Sequence, residues 1–93
     1  MKYDNLKSDY LIKNPTWHEE DSPYKASKIL KILNKNSINP NSIFEVGCGY
    51  GGILENLSVH MPDVNKFIGF DISPDAINNA KLKQNNRLSF FEC

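Results

Sequence analysis

Four of the chain's five glycines lie within six positions, at Gly47, Gly49, Gly51 and Gly52. They follow residues 42–46, a short run dominated by strand-forming residues, and they precede an apolar helical pattern that ends at Pro62. Glycine adopts backbone angles that other residues resist, and it lets a ligand lie against the main chain beside the start of a helix. The segment therefore predicts a strand, a glycine turn and a helix, with a nucleotide cofactor as the natural ligand or, alternatively, a tight turn without one.

The same strand-and-helix pattern continues on both sides of this unit. A second strand is predicted over residues 66–71, a helix from Pro74 through Ala80, and a third strand over residues 87–93. Ahead of the glycines, a helix is predicted to start at Ser22-Pro23, with Ser22 as its cap, and to run to about Asn34. Alternating strands and helices imply right-handed crossovers, so we expect an α/β fold with three parallel strands in the order 3-2-1 and one strand edge left unoccupied.

Size and charge narrow the functional classes. The 93 residues allow one domain, and eleven basic and eleven acidic residues cancel, so nothing points to nucleic acid as a partner. We find neither a membrane span nor a secretory signal in the sequence, which predicts a cytoplasmic protein without membrane contact. Cys48 and Cys93 lack metal-ligand spacing, so no metal site is predicted, and both cysteines are expected to be reduced and buried.

A carboxylate closes the second predicted strand, at the point where a nucleotide cofactor would lie. Asp71 comes 24 residues after Gly47, near the interval at which a carboxylate meets a ribose diol in nucleotide-binding units. Because the carboxyl ends of parallel strands open on the same edge, Asp71 and the glycine loop should face one crevice. The alternative is that Asp71 only caps the helix that follows it.

The glycines fit both a dinucleotide pattern, G-x-G-x-x-G, and an alternating G-x-G-x-G pattern. Glu45 helps to choose between them, because it places a carboxylate two residues before the first glycine. Beside a pyrophosphate, like charges at about 4 Å would cost on the order of 4 kcal/mol at an effective dielectric near 20. A cationic cofactor without phosphate tolerates that carboxylate, although Glu45 could also simply bond to nearby backbone amides.

Two segments together resemble class I S-adenosylmethionine-dependent methyltransferases. Residues 44–51 are similar to their E/D-x-G-x-G-x-G motif, and residues 69–77 are similar to their second-strand G-x-D-x-S-P-x-x-I motif. The resemblance implies a Rossmann-like fold and S-adenosyl-L-methionine as cofactor. It implies that Gly47, Gly49 and Gly51 line the methionine and ribose portions, with Cys48 among the cofactor-binding residues of the loop and Glu45 fixing it. Asp71 would hold the ribose hydroxyls, and Ile72 would lie against the adenine, although a β-branched residue after a strand is also an ordinary core residue.

The resemblance covers residues 43–93, with an extra helix before the first strand, and it corresponds to the first βαβαβ half of these enzymes. We therefore expect residues 22–93 to form a partial cofactor-binding domain that is truncated after the third strand, and residues 1–21 to form an N-terminal segment that could act as a lid. Within that segment His18 is a weak candidate for a catalytic base, because imidazole titrates near neutral pH. The alternative is that the acidic residues around it complement the start of a helix.

The resulting functional hypothesis is methyl transfer to an unidentified acceptor, for which the neutral charge favours a small molecule. The 93-residue piece is expected to be inactive alone. Two alternatives remain open at the level of sequence: an NAD(P)-dependent oxidoreductase, and a non-catalytic remnant that keeps only the cofactor-binding loop.

Overall fold

The structure, a computed structural model, describes residues 17–93, with side chains from Asp21 onwards. The helices are α1 (Trp17–Lys35), α2 (Gly52–His60) and α3 (Pro74–Ala80), and α3 continues into a 3-10 turn at Lys81–Lys83. The strands are β1 (Ser42–Val46), β2 (Lys66–Asp71) and β3 (Leu88–Glu92). The predicted alternation of strands and helices is confirmed, with the third strand one residue shorter at each end than predicted.

Helix α1 begins earlier than its sequence signals suggest. The predicted start and cap at Ser22-Pro23 are wrong, because the helix begins at Trp17 and Pro23 lies inside it. Proline removes one helical hydrogen bond. Contacts on both sides of Pro23 nevertheless fit a continuous helix, because Asp21 and Lys25 form an ion pair of 3.1 Å one turn apart. Ser22, next to the proline, is buried. The last five residues of the predicted lid segment thus belong to α1, while residues 1–16 lie outside the described residues.

The three strands form one parallel sheet in the order β1-β2-β3, which confirms the predicted 3-2-1 arrangement. The register places Ile43 beside Phe67, and Phe67 beside Leu88, on the face that packs against the helices. Phe67 and Leu88 are buried there with Leu54 and Leu57 of α2. The core therefore lies on one side of the sheet, and the carboxyl ends of all three strands open on the same edge.

The opposite face of the sheet is apolar and exposed. Phe44 and Phe91 expose 59% and 50% of their surface, and Val46 exposes 83%. Phe70 lies between the two outer rings, with centroid distances of 6.4 Å to Phe44 and 6.1 Å to Phe91. We refer to Phe44, Val46, Phe70 and Phe91 as the open face.

The two outer edges of the sheet differ. On β3, the side-chain oxygen of Gln84 accepts a hydrogen bond of 2.9 Å from the Phe90 amide, and Asn85 exchanges backbone hydrogen bonds of 3.0 and 3.4 Å with Leu88. The loop before β3 therefore occupies that edge. Within the described residues β1 pairs only with β2, so the unoccupied edge predicted from the sequence lies on β1.

The two cysteines also differ in environment. Cys48 is buried as predicted, but the prediction for Cys93 is wrong because its side chain is exposed, and neither forms a disulfide. The Cys93 amide donates to the Asp71 carbonyl at 3.0 Å, which holds the backbone at the sheet while the side chain is exposed. In the part of the chain that the structure describes, no helix has the length and apolar character needed to span a membrane.

Candidate cofactor-binding site

The glycine loop between β1 and α2 depends on left-handed backbone conformations. Gly47, Gly49 and Gly51 have φ values of +82°, +57° and +84°. A side chain at such positions costs about 1–2 kcal/mol, because its Cβ crowds the neighbouring carbonyl. The prediction that these glycines supply backbone angles closed to other residues is therefore confirmed.

The space beside Gly47 and Gly51 shows that these two glycines have different roles. A Cβ on Gly47 would meet nothing within 4 Å, so this position opens onto free space where a ligand could approach the main chain. A Cβ on Gly51 would instead overlap the ring of Phe90, which is fully buried. Gly51 thus allows the loop to lie directly on the core, and its requirement for glycine is internal to the protein.

Gly69, in the middle of β2, also makes room for the Phe90 ring. It lies between Glu45 and Phe90 in the register of the three strands. A Cβ at this position would come within 2.7 Å of the Phe90 ring and 2.8 Å of the Cys48 sulfur. The glycine of the G-x-D segment therefore makes room for the aromatic side chain that supports the loop.

Most of the loop's amides bind to the protein itself. The Gly47 and Cys48 amides donate to the Phe70 carbonyl at 2.7 and 3.0 Å, and the Gly51 amide donates to the Cys48 carbonyl at 2.9 Å. The Gly49 amide donates to the Asp71 side chain at 2.8 Å. These four donors point at protein acceptors, so the loop differs from a phosphate-binding loop, whose amides point at the ligand.

Asp71 lies where the sequence predicted, at the end of β2 against the glycine loop, but its surroundings are those of an interior residue. One carboxylate oxygen accepts from Gly49, and the other accepts from the Ser73 amide at 2.9 Å. Only 1% of the residue's surface is exposed. The helix cap is supplied by Ser73, whose hydroxyl accepts from the Ala76 amide at 3.3 Å, so the alternative reading of Asp71 as that cap does not apply.

The remaining predicted site residues surround the same corner of the sheet. Glu45 is half-buried near the end of β1, and its Oε1 atom is buried. Ile72 is half-buried directly after β2. The side chain of Cys48 packs into the core, so this residue presents its backbone rather than its sulfur to the loop's surroundings. His18 lies in α1, in the part whose side chains are not described.

Two residues that sequence reasoning missed complete the support of the loop. Phe90 of β3 lies beneath Gly51, and Tyr50 packs with Ala76 at the start of α3. Tyr50 carried a visible signal, because a large aromatic residue stands inside a run of glycines. The position of Phe90 follows only from the pairing of the third strand and has no local signal.

The corner therefore combines a glycine loop with four of its amides bonded to the protein, a buried carboxylate beside the loop and open space at Gly47. In the described residues, His, Cys, Asp and Glu side chains do not gather into a group of three that could hold a metal ion.

No protein-family model and no curated protein sequence matches this chain, whereas many solved structures do. The methyltransferase domain of the bacterial protein CtHen1 superposes with a TM-score of 0.63 at 22% identity, covering 76% of this chain and 40% of that one. The plantazolicin methyltransferase BpumL, solved in complex with S-adenosylhomocysteine (SAH), superposes with a TM-score of 0.58 at 26% identity, covering 94% of this chain and 32% of that one.

A third neighbour, the putative methyltransferase solved with the Haloferax volcanii Trm112 activator, has a TM-score of 0.63 at 20% identity and covers 98% of this chain and 38% of that one. The chain thus spans about two fifths or less of the length of these neighbours. The superposed part contains the parallel strands in the order β1-β2-β3. It also contains the glycine loop after β1 and, bonded to that loop, Asp71 at the end of β2. The described residues therefore have the fold of part of a class I methyltransferase.

Proposed function

We propose that this chain binds S-adenosylmethionine at the glycine loop and that the protein to which this fold belongs transfers its methyl group to an acceptor. The cofactor carries a methyl group on a sulfonium centre, which a nucleophile displaces in line to leave SAH. The residues proposed to contact it are those that surround the open side of the loop and the end of β2. They are Glu45, Gly47, Cys48, Gly49, Gly51, Asp71 and Ile72.

The observation that carries the proposal is the direction of the loop's amides. A pyridine dinucleotide needs backbone donors for its pyrophosphate, but the Gly47, Cys48 and Gly49 amides already donate to protein acceptors. Freeing them would leave the Phe70 carbonyl and the Asp71 carboxylate without those donors in a buried corner, which is costly. A phosphate-free cofactor makes no such demand on these three amides, and this difference supports S-adenosylmethionine over NAD(P).

Charge supports the same choice. Asp71 is buried beside the loop, and Glu45 places a further buried carboxylate oxygen near the end of β1. Carboxylates near an ammonium and a sulfonium centre lower the energy of the bound cations, whereas the same carboxylates repel phosphate. The neighbour BpumL was solved with SAH, and it shares 26% of its residues with this chain over the superposed part.

We propose a small molecule or short peptide as the methyl acceptor. The chain's formal net charge of zero provides no general attraction for a polyanion. BamL, another plantazolicin methyltransferase that superposes with this chain, was solved with a triazolic desmethylplantazolicin analogue and SAH. Methyl transfer itself requires mainly that acceptor and cofactor are held in line and shielded from water.

Isothermal titration calorimetry of the 93-residue chain with SAH and with NAD+ tests the proposal. We expect SAH to bind and NAD+ to produce no heat of binding at the same concentrations. Gly47→Ala should lower the SAH affinity about tenfold, because it places a methyl group in the ligand's space and strains the loop. Asn86→Ala, an exposed substitution before β3 at the opposite edge of the sheet, should leave the affinity unchanged.

Binding of NAD+ without SAH would replace the proposal with an oxidoreductase. A chain that folds but binds neither ligand would contradict cofactor binding itself, and with it both the methyltransferase and the cofactor-binding remnant.

A further inference from the structure

The resemblance assigns Asp71 to the ribose hydroxyls, but the structure gives its carboxylate other partners. One oxygen accepts from Gly49 in the β1–α2 loop, at 2.8 Å, and the other accepts from Ser73 in the β2–α3 turn, at 2.9 Å. Asp71 therefore joins the two turns that border the crevice.

Burial argues against a carboxylate that is mainly exposed to the crevice. Asp71 shows 1% of its surface, whereas Ile72, the next residue, is half-buried. A buried carboxylate is stable only when its oxygens accept hydrogen bonds, and the Gly49 and Ser73 amides meet that requirement.

The glycine loop needs such a restraint. Three of its residues have positive φ, and glycine visits positive and negative φ with similar ease, so the loop has many alternative conformations when it is not held. A binding-competent conformation that is only partly populated lowers the apparent affinity by that fraction. The charge-assisted hydrogen bond that the Gly49 amide donates to the Asp71 carboxylate raises the population of the competent conformation.

The other contacts of the loop act at its ends. The Gly47 and Cys48 amides bind the Phe70 carbonyl at the start of the loop, and Gly51 lies on Phe90 at its end. Gly49 stands between them, and its amide is held by Asp71 across 22 positions of sequence. The central glycine thus owes its placement to a side chain of the neighbouring strand.

Resting on the proposed function, we propose that Asp71 is a positioning residue for S-adenosylmethionine. Most of its contribution to cofactor affinity passes through the Gly49 amide and the preformed loop rather than through the ribose hydroxyls. A contact with the ribose hydroxyls adds a smaller contribution to this role. The loop contribution remains when the ribose hydroxyls are removed.

A double cycle, in which the Asp71 side chain and the ribose hydroxyls are changed separately and together, separates the contribution of the loop from that of the ribose. The affinities of the wild-type chain and of Asp71→Asn are measured by calorimetry for SAH and for an SAH analogue that lacks both ribose hydroxyls. We expect Asp71→Asn to weaken both ligands by a similar factor of about ten, because its amide group cannot accept from both turns. Asp75→Asn, which changes an exposed acid in the first turn of α3, is the matched control and should bind both ligands like wild type.

The proposal is overturned if the analogue binds wild type and Asp71→Asn equally while SAH is weakened, since the effect would then belong to the ribose. A second measurement does not depend on the variant's folding. In the ligand-free wild-type chain, the Gly49 amide should exchange with solvent about 100-fold more slowly than its intrinsic rate. Exchange near the intrinsic rate contradicts the positioning role even if SAH binds, whereas failure of SAH to bind with Gly49 protected contradicts only the proposed function.

Discussion

At the scale of single residues, the glycines of the loop look alike in sequence but have different reasons to be glycine. Gly47 and Gly51 share nearly the same φ, +82° and +84°. Their surroundings differ, because Gly47 has open space where a Cβ would be and Gly51 has the Phe90 ring. The pair therefore separates the cost of backbone strain from the cost of lost packing.

Alanine at the two positions should give different losses of stability. Gly47→Ala is expected to lower the free energy of unfolding by about 1–2 kcal/mol, the cost of a left-handed alanine. Gly51→Ala should lose about 2–5 kcal/mol, because overpacking against Phe90 adds about 1–3 kcal/mol to that strain. Urea unfolding followed by circular dichroism measures both values, and equal losses would show that Phe90 does not constrain the loop.

At the scale of secondary structure elements, Arg87 connects the start of β3 to the end of α2. Its guanidinium donates to the Met61 carbonyl at 2.7 Å and to the Val64 carbonyl at 2.8 and 3.0 Å. It also lies 5.3 Å from the centre of the Phe67 ring. Met61 and Val64 follow the helix, and the guanidinium also donates to the Ser58 carbonyl in the last turn of α2 at 3.3 Å. The last carbonyls of a helix lack partners within the helix, so this contact satisfies one of them and the cation complements the helix dipole.

Arg87→Lys should lower the free energy of unfolding by about 1–3 kcal/mol, because one ammonium cannot replace the forked donors of the guanidinium. Lys81→Ala removes an exposed basic residue from the 3-10 turn and should change stability little. Thermal melts of the three proteins give the comparison. A melting temperature for Arg87→Lys equal to that of wild type would mean that the guanidinium contacts do not stabilise the junction of α2 and β3.

The sequence predicted the elements well and their junctions less well. The order of strands and helices, the positive φ of the glycines and the meeting of Asp71 with the loop all followed from local patterns and from the geometry of parallel sheets. The start of α1 did not, because a serine-proline pair is a common helix start but not an obligatory one. The burial of Asp71 and the position of Phe90 depend on contacts between distant residues, which no local pattern records.

At the scale of the whole molecule, the sheet has one covered face and one open face. The open face, with Phe44, Val46, Phe70 and Phe91, adjoins the β1 edge, which pairs only with β2 among the described residues. An exposed apolar face beside an unpaired strand edge favours association between molecules. The β3 edge is blocked by Gln84 and Asn85, so association should involve the open face and β1.

We therefore expect the purified 93-residue chain to self-associate in its folded form. Val46→Lys places a charge on the open face next to the β1 edge and should shift the protein towards monomer. Leu82→Lys changes a residue that is 84% exposed in the 3-10 turn and should leave association unchanged. Sedimentation velocity at several concentrations measures the outcome, and a wild-type monomer with a sharp cooperative melt would contradict the expectation.

The central claim is that a glycine loop held by the protein's own acceptors binds a phosphate-free, cationic cofactor. A crystal structure of the chain with SAH tests it most directly. We expect SAH to lie across the carboxyl ends of β1 and β2, against the open side of Gly47, with the Gly49–Asp71 hydrogen bond retained. SAH bound elsewhere on the protein, or a loop whose amides have turned away from Phe70 and Asp71 towards the ligand, would contradict it.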